Sequence, residues 1–215
     1  MSSESAGTHG GTIRSSGGPR PPDAAVVQAP PAADPAALGL GGFALTTFVL
    51  SSVNAGLVPK SVEPVVLGLA LFYGGIAQFA AGIWEFANRN TFGGTAFCSF
   101  GAFWMSFWFL ARFTDLSAAG ADAGKGVGVF LLAWGIFTLY MTVAASRTST
   151  AVFLVFIFLT VTFFALAAGA YNGTAGLTKL GGWLGLVTAL LAWYASFAVV
   201  ANFTHKRTLV PVGPR

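Results

Sequence analysis

The sequence predicts an all-α polytopic membrane protein, a bundle of six transmembrane helices behind a disordered N-terminal tail. Of 215 residues, 55% are hydrophobic and only 8% are charged, and the mean hydropathy is +0.73. That balance is too apolar for a soluble domain. The apolar residues fall into six runs, near 38–58, 64–86, 93–112, 126–145, 150–170 and 181–203. Each approaches the ~20 residues with which a helix crosses ~30 Å of hydrocarbon. Polar and charged residues collect between the runs, at Pro59-Lys60, Asn88-Arg89-Asn90, Asp115 to Lys125, Ser146-Arg147-Thr148 and Asn172 to Lys179.

Residues 1–33 are rich in Gly, Ser, Pro and Ala. They offer too little apolar surface to offset the entropy of ordering and read as a disordered tail. No signal peptide is visible in them, so the first span is expected to direct insertion. The membrane domain is expected over 34–205 and a short second tail over 206–215. Asp34-Pro35 starts the first helix: Asp34 can cap free backbone amides, and Pro35 suits the first helical position, where its missing donor costs nothing. Thr46, Thr47, Ser51, Ser52 and Asn54 then lie along the span. Back-bonding to helix carbonyls and a polar lining are equally good readings of these side chains.

The second run is poorly made for facing lipid alone. Ala70, Gly74, Gln78 and Gly82 recur every four residues and form a nearly bare stripe for another helix backbone. Gln78 sits near mid-span, where an amide without partners costs several kcal/mol, so a polar partner is expected inside the bundle. Glu85 closes the same helix, either as a solvated end residue near Arg89 or as a proton-exchange group at a pore mouth. The third run adds Ser99 as a further candidate for a polar path or for bracing.

Six spans place both termini on one side. That side carries Arg14, Arg20, Arg89, Arg147, Lys206, Arg207 and Arg215, against Lys60, Arg112, Lys125 and Lys179 on the other, so both termini are expected in the cytoplasm. The basic residues are scattered, which argues against nucleic acid as a partner. Cys98 is the single cysteine and reads as a small packing hydrophobe, with no metal or cofactor site implied. His9 and His205 lie in or beside the tails, and no nucleophilic or paired-carboxylate constellation can be assembled within the spans. An enzyme is not expected.

Several ordered blocks resemble the acetate uptake transporter family, the YaaH-like acetate/succinate permeases. Asp34-Pro35-Ala36-Ala37-Leu38-Gly39-Leu40, with Gly42-Phe43-Ala44 and Thr46-Thr47, resembles the family's signature Asn-Pro-Ala-Pro-Leu-Gly-Leu, with Asp34 and Ala37 as departures. Phe72-Tyr73-Gly74-Gly75-Ile76-Ala77-Gln78 resembles its second-helix block. Asn90-Thr91-Phe92-Gly93 with Thr95-Ala96-Phe97, Trp134-Gly135-Ile136-Phe137-Thr138 and Arg207-Thr208-Leu209-Val210-Pro211 resemble three more. The likeness covers about residues 34 to 213.

The resemblance implies a multi-pass plasma-membrane protein in a hexameric ring of identical protomers, each with its own path for acetate, or for succinate in some relatives. It places the constriction of that path at Phe43, Phe100 and Leu159, where bacterial permeases carry Tyr at the position of Phe100. A dry constriction favours the neutral acid over the bare anion, so proton-linked uptake is the first mechanism and channel-like anion permeation the second. Two other readings stay open: a pore for another small solute such as ammonium or urea, and a non-transporting interaction or signalling protein that keeps the fold.

Overall fold

A computed structural model describes residues 33–213 of the chain. The expected disordered tail lies outside the described residues, apart from Ala33. The chain forms α1 (Ala36–Asn54), α2 (Val65–Ala87), α3 (Thr91–Phe113), α4 (Ala123–Ala145), α5 (Thr150–Asn172) and α6 (Ala175–His205), with short 3₁₀ turns at Lys60–Val62 and Ser117–Asp122. All six are long and apolar enough to cross a membrane.

α1 packs on α2 and α6, α6 on α5, α5 on α4, and α2 on α3, with α3 returning to α4, so the six helices close a ring. α1, α3 and α5 all run away from the N-terminal side and face the centre of the ring. Asp34 caps α1 as expected. Its Oδ1 accepts from the Ala36 amide at 2.9 Å, and Pro35 already has helical angles of −76° and −10°.

The far ends of the helices differ from the sequence reading. α1 stops at Asn54 rather than near Val58, because Gly56 turns left-handed at φ 81°. The Leu57 and Gly56 amides then bond back to the Ser52 and Val53 carbonyls at 3.0 Å each, a terminator open to glycine at little cost. α6 starts at Ala175, several residues before the apolar run. Gly173, at φ 64°, reverses the chain tightly enough that the Thr174 amide still bonds the Gly169 carbonyl at 2.9 Å.

α2 is not a uniform α-helix. Phe72–Ala77 forms a π-helical turn, an insertion that shifts the register of the residues after it. The expected stripe is nonetheless buried at Ala70, Gly74, Gln78 and Gly82. A Cβ on Gly74 would lie 2.6 Å from Thr46 Oγ1 and 2.9 Å from Trp104 Cδ1, and one on Gly82 would lie 2.5 Å from the Cys98 amide nitrogen. From the facing helices, a Cβ on Gly42 would meet the Tyr73 carbonyl oxygen at 2.6 Å and one on Gly101 the Phe79 amide at 2.8 Å. The three helices are therefore locked at backbone distance on both sides of α2. Cys98 packs in this seam, with its thiol 3.6 Å from the Phe79 carbonyl oxygen.

Beyond α6 the chain turns back along the bundle as a strap. Asn202 accepts from the Leu209 and Val210 amides at 2.8 and 3.0 Å and donates to the Val210 carbonyl at 2.9 Å. The Tyr194 hydroxyl donates to the Pro211 carbonyl. The Val212 and Gly213 carbonyls then accept from the Ala151 and Thr150 amides at 3.1 and 2.7 Å, satisfying the first turn of α5.

Gly82→Leu is expected to overpack the α2–α3 seam and cost ~1–3 kcal/mol or more, since the obstacle is backbone. The check is thermal unfolding and oligomer size in detergent; wild-type values for both would contradict the close approach.

Candidate functional site

Because α1, α3 and α5 present Phe43, Phe100 and Leu159 at matching positions, these side chains prop the centre of the ring. Phe43 lies seven residues past the start of α1, and Phe100 and Leu159 each lie nine past the starts of α3 and α5, so the three sit ~10–14 Å deep. All are buried, and the Phe43 and Phe100 rings are 5.7 Å apart between centroids. The three line one cavity of about 170 Å³ together with Ala36 and Leu40 of α1, Gln78 and Glu85 of α2, Ala96 and Phe97 of α3, and Val152, Val155 and Phe156 of α5. That is room for more than a single water. Its mouth is formed by Asn90, Phe92, Gly93, Thr148 and Ser149, at the N-terminal ends of α3 and α5.

Past the three residues the interior is filled by rings. Phe100 stacks on Phe163 at 6.5 Å and meets Phe137 edge-on at 5.4 Å, while Phe103 meets Phe163 at 5.2 Å and Trp134 at 5.3 Å, all edge-on in the last two pairs. The cavity therefore ends blind against an aromatic plug.

Besides the polar residues of the mouth, Gln78 and Glu85 of α2 line the cavity, and of the two readings of Glu85 the solvated one does not hold. Glu85 is not a solvated end residue beside Arg89: it is 3% exposed and lines the cavity. Asn90, the cap of α3, folds over it. Asn90 Oδ1 accepts from the Gly93 amide at 3.0 Å while its Nδ2 donates to Glu85 Oε2 at 2.8 Å. Gly93 leaves the space for this, since a Cβ there would lie 2.8 Å from the Glu85 carboxyl carbon. The other carboxyl oxygen, Oε1, is buried without a hydrogen-bond partner.

Gln78 lacks the protein partner expected for it. It is 1% exposed, its Oε1 has no hydrogen bond, and it lies along the cavity wall. The space beside it, rather than another side chain, is what meets the amide.

The remaining candidates are placed elsewhere. Thr46 bonds back to the Gly42 carbonyl at 2.9 Å and braces Gly74 without reaching the cavity. Thr47 lies one turn beyond Phe43, its buried hydroxyl unpartnered, and Ser99 is half-buried away from the cavity. Of the motif residues, Leu40 lines the cavity and Asn90 and Thr91 start α3 at its mouth. Asp34, Pro35 and Leu38 lie at the start of α1, where Gly39 gives room to the Phe97 ring. Tyr73, Gly74 and Gly75 form the π turn before Gln78. The sequence reading missed the wall of Val152, Val155 and Phe156, whose 3- and 4-residue spacing on α5 leads straight to Leu159, and Trp104, whose buried Nε1 is unpartnered.

A model of the GPR1/FUN34/yaaH family matches residues 16–214. The chain belongs to this family. Within the family, the succinate-acetate/proton symporter SatP of Escherichia coli K12 is 38% identical over 181 residues, covering 84% of this chain and 95% of SatP. Ammonia transport outward protein 2 of Saccharomyces cerevisiae is 44% identical over 190 residues, 85% of this chain and 66% of that protein, so the chain spans about two thirds of this relative's length. A solved structure described as the bacterial acetate channel SatP superposes with a TM-score of 0.78 at 38% identity, covering 85% of this chain and 99% of that one. The six-helix membrane fold is thus the family's.

Gln78→Leu removes a buried amide that has no protein partner, and is expected to leave stability unchanged or raise it by about 1 kcal/mol. Flux through the cavity is expected to fall. Thermal unfolding and solute flux per folded protein check this together; a destabilised variant would reveal a partner that the amide needs.

Proposed function

We propose that this protein moves acetate and related short carboxylates across the plasma membrane, linked to protons, through the cavity in each protomer. One observation carries the reading: a narrow apolar cavity between three parallel helices ends at Phe43, Phe100 and Leu159 and holds one carboxyl group at its mouth. Membership of a family that includes a succinate-acetate/proton symporter supports the substrate class. A bare carboxylate entering such a lining loses several kcal/mol of solvation with no fixed cation to replace it. The neutral acid loses far less. Glu85 is placed to exchange that proton, since Asn90 holds one oxygen and the other is free beside the cavity.

The arginine and lysine bias puts both termini, and therefore the cavity mouth, in the cytoplasm. Residues 1–33 and 206–215 are then cytoplasmic on either side of a membrane domain of 34–205. A ring of identical copies, six by resemblance, accounts for the outer faces: α4 leaves Val129, Leu132, Ile136, Leu139 and Val143 exposed in the single chain. The reading is of a transporter and not of an enzyme.

A second reading rests on the charge of the lining. The cavity walls carry Glu85 and no Lys, Arg or His, a balance that also suits ammonia or ammonium, and one yeast relative is named for outward ammonia transport. Purified protein in liposomes with a pH-sensitive interior dye separates the readings. Acetate is expected to acidify the interior in proportion to external protonated acid, and ammonium chloride to produce no protein-dependent change. The reverse pattern would favour the second reading, and silence with both would leave a non-transporting member of the family. Glu85→Gln is expected to flatten the pH dependence of acetate influx while leaving folded abundance unchanged, and an unaltered pH profile would remove Glu85 from the proton path.

A further inference from the structure

A second, wider hollow lies in line with the cavity at the other end of the bundle. Along α1, Phe43, Thr47 and Asn54 share one face, and along α5 Leu159, Phe163 and Ala170 share one face with the same offsets of four and eleven residues. Phe43 and Leu159 line the cavity; Asn54 and Ala170 line the hollow. It follows the three propping residues by ~16 Å on the same two helix faces. Its volume is about 830 Å³.

The charge at this end is the opposite of that at the cavity mouth. Lys60 and Lys179 line the hollow and no Asp or Glu does. Among the described residues neither lysine forms an ion pair, whereas Lys125, outside the lining, is held by Asp122 at 2.7 Å. Lys179 lies across Gly56, where a Cβ would sit 3.4 Å from its Cε. Ala175 brings the N-terminal end of α6 to the wall, adding the positive end of a 31-residue helix. Two acids lie close in sequence to the lining: Glu63, which shares a neighbouring hollow with Lys60, and Asp122, which is already paired with Lys125.

We propose that this hollow is a capture site for carboxylate anions on the face opposite the cavity mouth, with Lys60 and Lys179 as its charged groups. This deepens the transport reading and rests on it for its role. The lysines concentrate the anion at the outer end of the path, and the apolar plug beyond them passes the acid only after it gains a proton. Sites of this kind raise encounter rates and weaken steeply with salt.

The test has two arms that fail separately. The chain has four lysines, so reductive ¹³C-methylation, which keeps their charge, gives four side-chain signals assignable by single Lys→Gln variants. Sodium acetate added to protein in neutral detergent, against sodium chloride at equal ionic strength, is expected to shift the Lys60 and Lys179 signals saturably and leave Lys125 and Lys206 in place. Equal shifts at all four, or none at Lys60 and Lys179, would overturn the site. In liposomes, Lys60→Gln with Lys179→Gln is expected to raise the half-saturating acetate concentration about threefold to tenfold at low salt, with little change in maximal rate, and the difference is expected to vanish at high salt. A half-saturation unchanged at low salt would overturn the capture role. Wild-type protein that carries no acetate would instead sink the transport reading, and the methyl signals would still decide whether the hollow binds carboxylates.

Discussion

The backbone contact of α2 with α1 and α3 is the constraint on which the rest depends. Gly42, Gly74, Gly82 and Gly101 each face an atom of another helix at a distance that a Cβ does not tolerate. Helices this close leave no room for side chains between them, so α2 must direct its two polar groups elsewhere. Gln78 and Glu85, seven residues apart and thus on one face, both turn into the centre of the ring. Opposite them, α5 leaves a cavity whose inner end Phe43, Phe100 and Leu159 line.

Chemistry follows from that arrangement because, beyond the polar mouth at Asn90, Thr148 and Ser149, the cavity is apolar except where α2 enters it. An amide without a protein partner and a half-partnered carboxyl group are costly to keep in such a place. Their burial makes sense where a solute or water supplies the missing hydrogen bonds during passage. Asn90 performs two tasks with one side chain, capping α3 and holding Glu85. The position of the carboxyl group is thereby tied to the helix whose start frames the mouth.

Much of the fold was legible in the sequence because the signals were local or periodic. Six apolar runs gave the six helices, Asp34-Pro35 gave the start of α1, and the four-residue recurrence of small side chains gave the packing face of α2. The π turn at Phe72–Ala77 was not legible, since no local pattern separates it from a continuous helix. The burial of Glu85 was hidden for a different reason: its partner, Asn90, lies beyond a turn whose reversal only the tertiary structure supplies. Gln78 was expected to find a partner by a sound rule about buried amides, and the cavity is what exempts it. Thr46 and Thr47 are adjacent in sequence but diverge in role, one back-bonded against Gly74 and the other unpartnered beyond Phe43, a distinction set by which neighbour each faces. The ends of α1 and α6 shifted because Gly56 and Gly173, read as parts of an apolar run and a loop, are left-handed turn residues.

On the proposed transport path, Phe43, Phe100 and Leu159 form the steric and dehydrating barrier. The most direct measurement is labelled acetate and lactate influx into liposomes containing wild type, Leu159→Ala or Phe100→Ala, normalised to folded protein. Removing bulk from the barrier should raise lactate influx relative to acetate in both variants. A lactate-to-acetate ratio equal to that of wild type, in variants that fold normally, would place the barrier elsewhere and remove these three residues from it.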